Sequence, residues 1–180
     1  MILYYLSLID DVNDVSSYQL NDENKKVILF CDIAEKKVSE NFLIIKNSKV
    51  NKFPKEISCL LNYLNNINHD DYYFLDFNIN NKLENFNLFL SVKDYDPIFK
   101  NNYFFLNNFS NDISVCFANY RDQVLFSTRK NPILKHGFPL IIKGESLIFV
   151  LRFIKIFFDL NIFNYNIEGI FALILNLKYG

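Results

Sequence analysis

Apolar residues recur along the chain with two different periods. Near the start, Ile2–Ile9, Lys26–Ile33 and Asn41–Lys46 are short runs rich in Ile, Leu, Phe and Tyr, each bounded by Asp, Asn or Ser, and they predict strands. The polar stretch Asp10–Asn24 predicts an exposed loop or a short helix. From Pro54 to Asn66 the period changes. Ile57, Leu60, Leu61 and Leu64 fall at i, i+3, i+4 and i+7, one face of a helix whose first position suits Pro54. Tyr72–Ile79 and Phe86–Val92 predict two further strands joined by an Asn-rich connection, and Asp94-Tyr95-Asp96-Pro97 has the chemistry of a turn.

Asn102–Leu106, Ile113–Asn119 and Gln123–Thr128 continue the strand series, the last two close enough to pair around Arg121-Asp122. Arg129–Gly144, with Pro132, Gly137 and Pro139, reads as irregular. Residues 145–160 then predict the longest helix, in which Arg152, Lys155 and Asp159 form one narrow polar stripe on an otherwise apolar surface. Three charges at that density argue against a membrane span. They leave a core helix, with a homodimer interface as the alternative use of its surplus apolar face. Gly169–Tyr179, apolar on both faces, predicts an interior strand. The expected fold is α+β: a single domain over residues 1–180, with one mostly antiparallel mixed sheet packed against a long apolar C-terminal helix (145–160) and a shorter helix (54–66).

Composition sharpens this picture mainly by exclusion. The chain has 180 residues and 4 glycines, the first of them Gly137. A P-loop or a dinucleotide-binding glycine turn therefore cannot exist before that point. Positions needing φ > 0 in the first 136 residues fall to Asn or Asp, and 26 asparagines are available. The Phe, Ile, Asn, Lys and Tyr bias is that of an A/T-rich, low-GC coding sequence. At 51% apolar and 22% charged residues, the chain belongs to the folded class. Cys31, Cys59 and Cys116, odd in number and set in apolar segments, read as reduced core cysteines. Met1–Leu6 has no basic flank and meets Asp10-Asp11 too early for a signal peptide, so a cytoplasmic location is expected.

No constellation of residues spells out a reaction. His69 and His136 are too few and too far apart for a zinc site of three protein ligands, and no nucleophile signature accompanies them. His69-Asp70-Asp71 reads as a polar loop after a helix. Asp14 with Glu23-Asn24-Lys25, or Asp22 with Glu35-Lys36-Lys37, has the spacing of a metal-dependent nuclease, which arises readily by chance. No catalytic residue, metal site or cofactor is expected.

Charge separates along the chain although the net charge is only −1. Residues 1–96 carry 15 acidic and 10 basic side chains, and residues 97–180 carry 5 and 9. The acids of Glu56–Asp96 suggest a surface for a basic partner, since complementary charge raises association rate and specificity. The basic segment around Arg129–Lys143 lacks the density that nucleic-acid binding requires. The expectation is a non-enzymatic inhibitor of the antitoxin or immunity-protein kind. It would neutralise a basic toxin domain, such as a nuclease, through Asp70, Asp71, Tyr72, Asp94, Tyr95 and Asp96. The alternatives are a metal-dependent enzyme acting on nucleic acid or a nucleotide, and a viral or structural interaction protein.

Overall fold

The computed structural model describes residues 1–48, 53–77, 81–93, 102–105, 138–159, 170–171, 174–175 and 177–178. The strands are β1 (Leu3–Ile9), β2 (Lys25–Cys31), β3 (Lys36–Ser39), β4 (Phe42–Lys46), β5 (Tyr72–Asp76), β6 (Tyr103–Phe105) and β7 (Leu140–Lys143). They form one mixed sheet of seven in the order β3-β4-β2-β1-β5-β7-β6. Helices α1 (Lys55–Tyr63), α2 (Lys82–Ser91) and α3 (Gly144–Asp159) accompany it. Short 3-10 turns lie at Val12–Ser17 and Leu64–Asn66.

The α+β class and single mixed sheet are as expected, but the pairing is not mostly antiparallel. β4-β2-β1-β5 pair parallel throughout, and antiparallel pairing is confined to β3 with β4, β5 with β7 and β6 with β7. Burial explains the parallel centre. All five residues of β5 are buried, as are all but Lys26 in β2, so these strands cannot leave one face in water. The turn at Val12–Ser17 packs Val12, Val15 and Tyr18 on one face of the sheet, and α1 covers the other. Right-handed crossovers that run in opposite directions along a sheet lie on opposite faces, which accounts for this arrangement.

Four local readings change. Phe86–Val92 is not a strand: Phe86–Ser91 belong to α2, which Val92 caps, and the buried residues Asn85, Phe86 and Phe89 follow a helical period. Alternation of Phe86, Leu88, Leu90 and Val92 imitates a strand only when the sequence is read alone. Helix α2 is entered through Asn81 at φ 63°, the left-handed conformation that an asparagine supplies where no glycine is present. Leu140–Lys143, inside the segment read as irregular, is β7, an inner strand of the sheet. The described residues of the last segment, 170–171, 174–175 and 177–178, are helical rather than extended. Ile170, Phe171, Ile174 and Leu175 form its buried face at i, i+1, i+4 and i+5. Lys36–Ser39, which carried no apolar signal, forms the edge strand β3. All four of its residues are exposed, its register shifts between Lys37 and Ser39, and it carries two lysines, features that discourage edge-to-edge pairing.

The long helix α3 spans Gly144–Asp159. Leu147, Ile148, Val150, Leu151 and Ile154 are buried and Arg152 and Lys155 exposed, so one stripe faces water. Gly144, which opens it, stands where a Cβ would lie 1.7 Å from the Asn68 carbonyl oxygen, so only glycine permits this approach. The predicted strands 113–119 and 123–128 and Cys116 lie outside the described residues.

Candidate functional site

Three parallel strands begin in line, and this places their leading segments side by side. Leu3 is registered with Lys25 on β2 and with Tyr72 on β5. Consequently Asp22-Glu23, before β2, and Asp70, before β5, emerge at the same end of the sheet. Strand β7 is antiparallel to β5 with Tyr72 opposite Lys143, so Glu145, at the start of α3, joins them. Asp22, Glu23, Asp70 and Glu145 are all exposed. With neighbouring strands about 4.8 Å apart, the row spans on the order of 14 Å from β2 to β7.

Local bonds fix this edge. The Asp22 carboxylate accepts from the Asn24 amide at 2.9 Å and lies 3.4 Å from Lys25 Nζ. Asn68 Oδ1 accepts from the Asp70 amide at 3.1 Å, and the Gly144 and Glu145 amides donate to the carbonyls of Asp71 and His69. Glu145 meets Lys178 Nζ at 3.1 Å, and this hydrogen bond, followed by the lysine charge, holds its carboxyl below the usual range. The most buried cation of the edge points inward. Lys25 Nζ donates to the Leu90 carbonyl at 2.6 Å, lies 5.6 Å from the Phe89 ring centre and pairs with the Asp22 carboxylate at 3.4 Å, so it offsets that charge of the edge.

The six residues expected to contact a partner do not share one environment. Asp70 is exposed. Asp71 is buried and its Oδ1 accepts the Ile2 amide at 2.8 Å, which ties β5 to β1. Tyr72 is buried in β5. Neither Asp71 nor Tyr72 can add much surface where it stands. Asp94, Tyr95 and Asp96 lie outside the described residues. Asp22, Glu23 and Glu145 are not among those six, because only the non-local register of β1, β2, β5 and β7 brings them beside Asp70.

A second polar group lies at the opposite end of the same strands. Asp76 is fully buried; its Oδ2 accepts from Tyr5 Oη at 2.5 Å and its Oδ1 from Asn85 Nδ2 at 3.0 Å. Ser7 Oγ donates to the Asp76 carbonyl at 2.7 Å, and Lys82 Nζ donates to the Leu8 carbonyl. Burial, then the Asp76 charge, pushes the Tyr5 phenol far above its ordinary value. One sequence signal existed for this network: a single Asp ending the apolar run Tyr72–Leu75.

Elsewhere among the described residues, polar side chains make structural contacts. Asp11 caps the 3-10 turn by accepting the Asn13 amide at 2.9 Å, and Asp32 pairs with Lys55 at 3.1 Å. Among the described residues no three His, Cys, Asp or Glu side chains converge as metal ligands. Cys31 and Cys59 are buried free thiols, and burial pushes Cys59 up to about 12, far from a reactive thiolate. No helix among the described residues is long and apolar enough to cross a membrane. No family model matches the chain, and neither a curated protein nor a solved structure matches it significantly.

Proposed function

We propose that the protein is a non-enzymatic inhibitor of the antitoxin or immunity kind, which acts in the cytoplasm by capturing a basic protein on the acidic edge where β1, β2 and β5 begin. The observation that carries this reading is the in-line start of those strands, which gathers Asp22, Glu23, Asp70 and Glu145 along one border of a rigid sheet. Asp22 is matched by Lys25 and Glu145 by Lys178, so among the described residues the unmatched negative charge of the edge rests on Glu23 and Asp70, held on fixed backbone. That is what an inhibitor needs to mask a cationic active-site surface. The inward-turned Lys25 and the buried Asp71 then serve as support, holding the strands whose ends carry the exposed acids.

The test is purification of the tagged chain from its native host at low salt, with mass spectrometry of whatever accompanies it. The reading expects a basic protein in stoichiometric amount that leaves as salt rises toward 0.5 M, where the Debye length falls to about 4 Å. A chain that emerges alone at low salt contradicts it. So does a partner that is acidic or indifferent to salt.

A further inference from the structure

We propose that the outward stripe of α3 is where two copies of this chain pair, the two helices lying antiparallel across a twofold axis. Glu145, Phe149, Arg152 and Ile156 follow one another at intervals of four, three and four residues, the spacing that keeps a seam facing a partner helix. Leu147, Val150, Leu151 and Ile154, on the other side of α3, are buried in the core. Of the seam, Glu145, Arg152 and Ile156 are exposed and Phe149 is half-buried. Ile156 is 58% exposed near one end of the helix, and Leu177 is 64% exposed near the other. Leu177 is carried there by its neighbour Lys178, whose Nζ lies 3.1 Å from Glu145 and 4.8 Å from the Phe149 ring centre.

The order of charges selects the occupant. Helix α3 has Glu145 in its first turn and its bases, Arg152 and Lys155, in its second half. A parallel pair would set Glu145 against Glu145. In an antiparallel pair centred between Val150 and Leu151, Ile156 and Lys155 of one copy come beside Glu145 of the other, and Arg152 beside Phe149. Asp159, the last residue of α3, falls by register near Lys143 of the second copy. Each Phe149 ring, which already carries Lys178 of its own chain, then receives a guanidinium, and each Ile156 is covered by the end of the helix that bears Leu177. Twofold symmetry makes every contact twice, and opposed helix dipoles favour the antiparallel sense. Charge and apolar positions thus match a second copy of the same helix. The pairing shares only Glu145 with the acidic edge and does not depend on what binds there.

Sedimentation equilibrium of the full chain at low salt, from about 5 to 500 µM to span a small interface, tests the pairing. The weight-average mass is expected to climb with concentration toward twice that of one chain. Ile156→Asp removes no buried contact within the chain, so it should keep the melting temperature and raise the dissociation constant on the order of tenfold or more. Glu145→Lys and Lys155→Glu should each weaken the dimer severalfold, and the two together should restore most of it. That rescue can arise only between copies, because ten residues, about 15 Å of helix, separate the two positions within one chain. A monomer at every concentration overturns the proposal. So does a dimer indifferent to Ile156→Asp, or a double variant no stronger than the single ones.

Discussion

On the face covered by α1 and α3 the sheet meets Ile57, Leu60, Leu147, Leu151 and Ile154, and the buried polar groups beside α1 include the Ser58 hydroxyl, bonded to the Phe53 carbonyl at 3.3 Å, and the Asn47 amide, bonded to Asn62 at 3.2 Å. On the face covered by α2, the rings of Tyr5, Phe74, Phe86 and Phe89 share the core with Leu3, Val27, Leu29 and Ile141. Tyr18 and Tyr5 meet Phe86 edge-on at 4.6 and 5.2 Å, and a carboxyl group is buried among them. Apolar burial is non-directional and grows with area, about 1.5–3 kcal/mol for each large side chain, so the first face tolerates small changes of shape. Buried polar bonds are directional, and removing one partner leaves the other without water. The second face therefore holds α2 in one register, and its stability depends on a few atoms.

This contrast can be broken at single positions. Asp76→Ala leaves the Tyr5 hydroxyl and the Asn85 amide facing an apolar gap, and is expected to lower the unfolding free energy by about 3–5 kcal/mol in urea titrations. Leu151→Ala on the other face is expected to cost about 2–5 kcal/mol, so the two alanine variants alone do not separate the faces. Conservative changes do. Leu151→Met should cost less than about 1.5 kcal/mol. Asp76→Asn, nearly the same size, sets an amide donor against donors and should still cost about 1–3 kcal/mol. Equal tolerance at both positions would remove the distinction.

High pH sharpens it further. Tyr5 and Tyr73 are fully buried, and burial raises both phenols above their ordinary value near 10. Below pH 10 both the folded and the unfolded chain keep these protons. Above it only the unfolded chain releases them, so stability falls as pH rises, by roughly 1.4 kcal/mol per pH unit for each such tyrosine. Tyr5→Phe should flatten this decline by one tyrosine's share; an unchanged slope would mean that Tyr5 ionises as freely in the fold as outside it. The smallest effect belongs to Lys82→Met, about 1 kcal/mol, the net worth of the one hydrogen bond it takes from the Leu8 carbonyl at a half-exposed position.

Elements with an unambiguous period were legible from residues alone. Helix α3 announced itself through the single stripe of Arg152 and Lys155, and α1 through Ile57, Leu60 and Leu64. Strand β7 was hidden because Gly137 and Pro139 immediately before it drew the eye to irregular backbone. Residues 86–92 satisfied both periods, and the decision rested on Asn85 and Phe89 facing inward together, which is a tertiary fact. The site was half legible. Asp70 belonged to an evident acidic stretch, whereas the duty of Asp71 follows from the Ile2 amide, 69 positions away. Parallel pairing was the piece least accessible to local pattern, since β1, β2, β4 and β5 are bound to one another only through register.

The acidic edge is tested most directly by reversing charge where nothing structural depends on it. Glu23 and Asp70 are exposed. The double variant Glu23→Lys with Asp70→Lys should melt at the temperature of the unsubstituted chain and lose the basic partner at low salt. A variant that folds as well and retains that partner at unchanged salt sensitivity would contradict the claim that this edge is the binding surface.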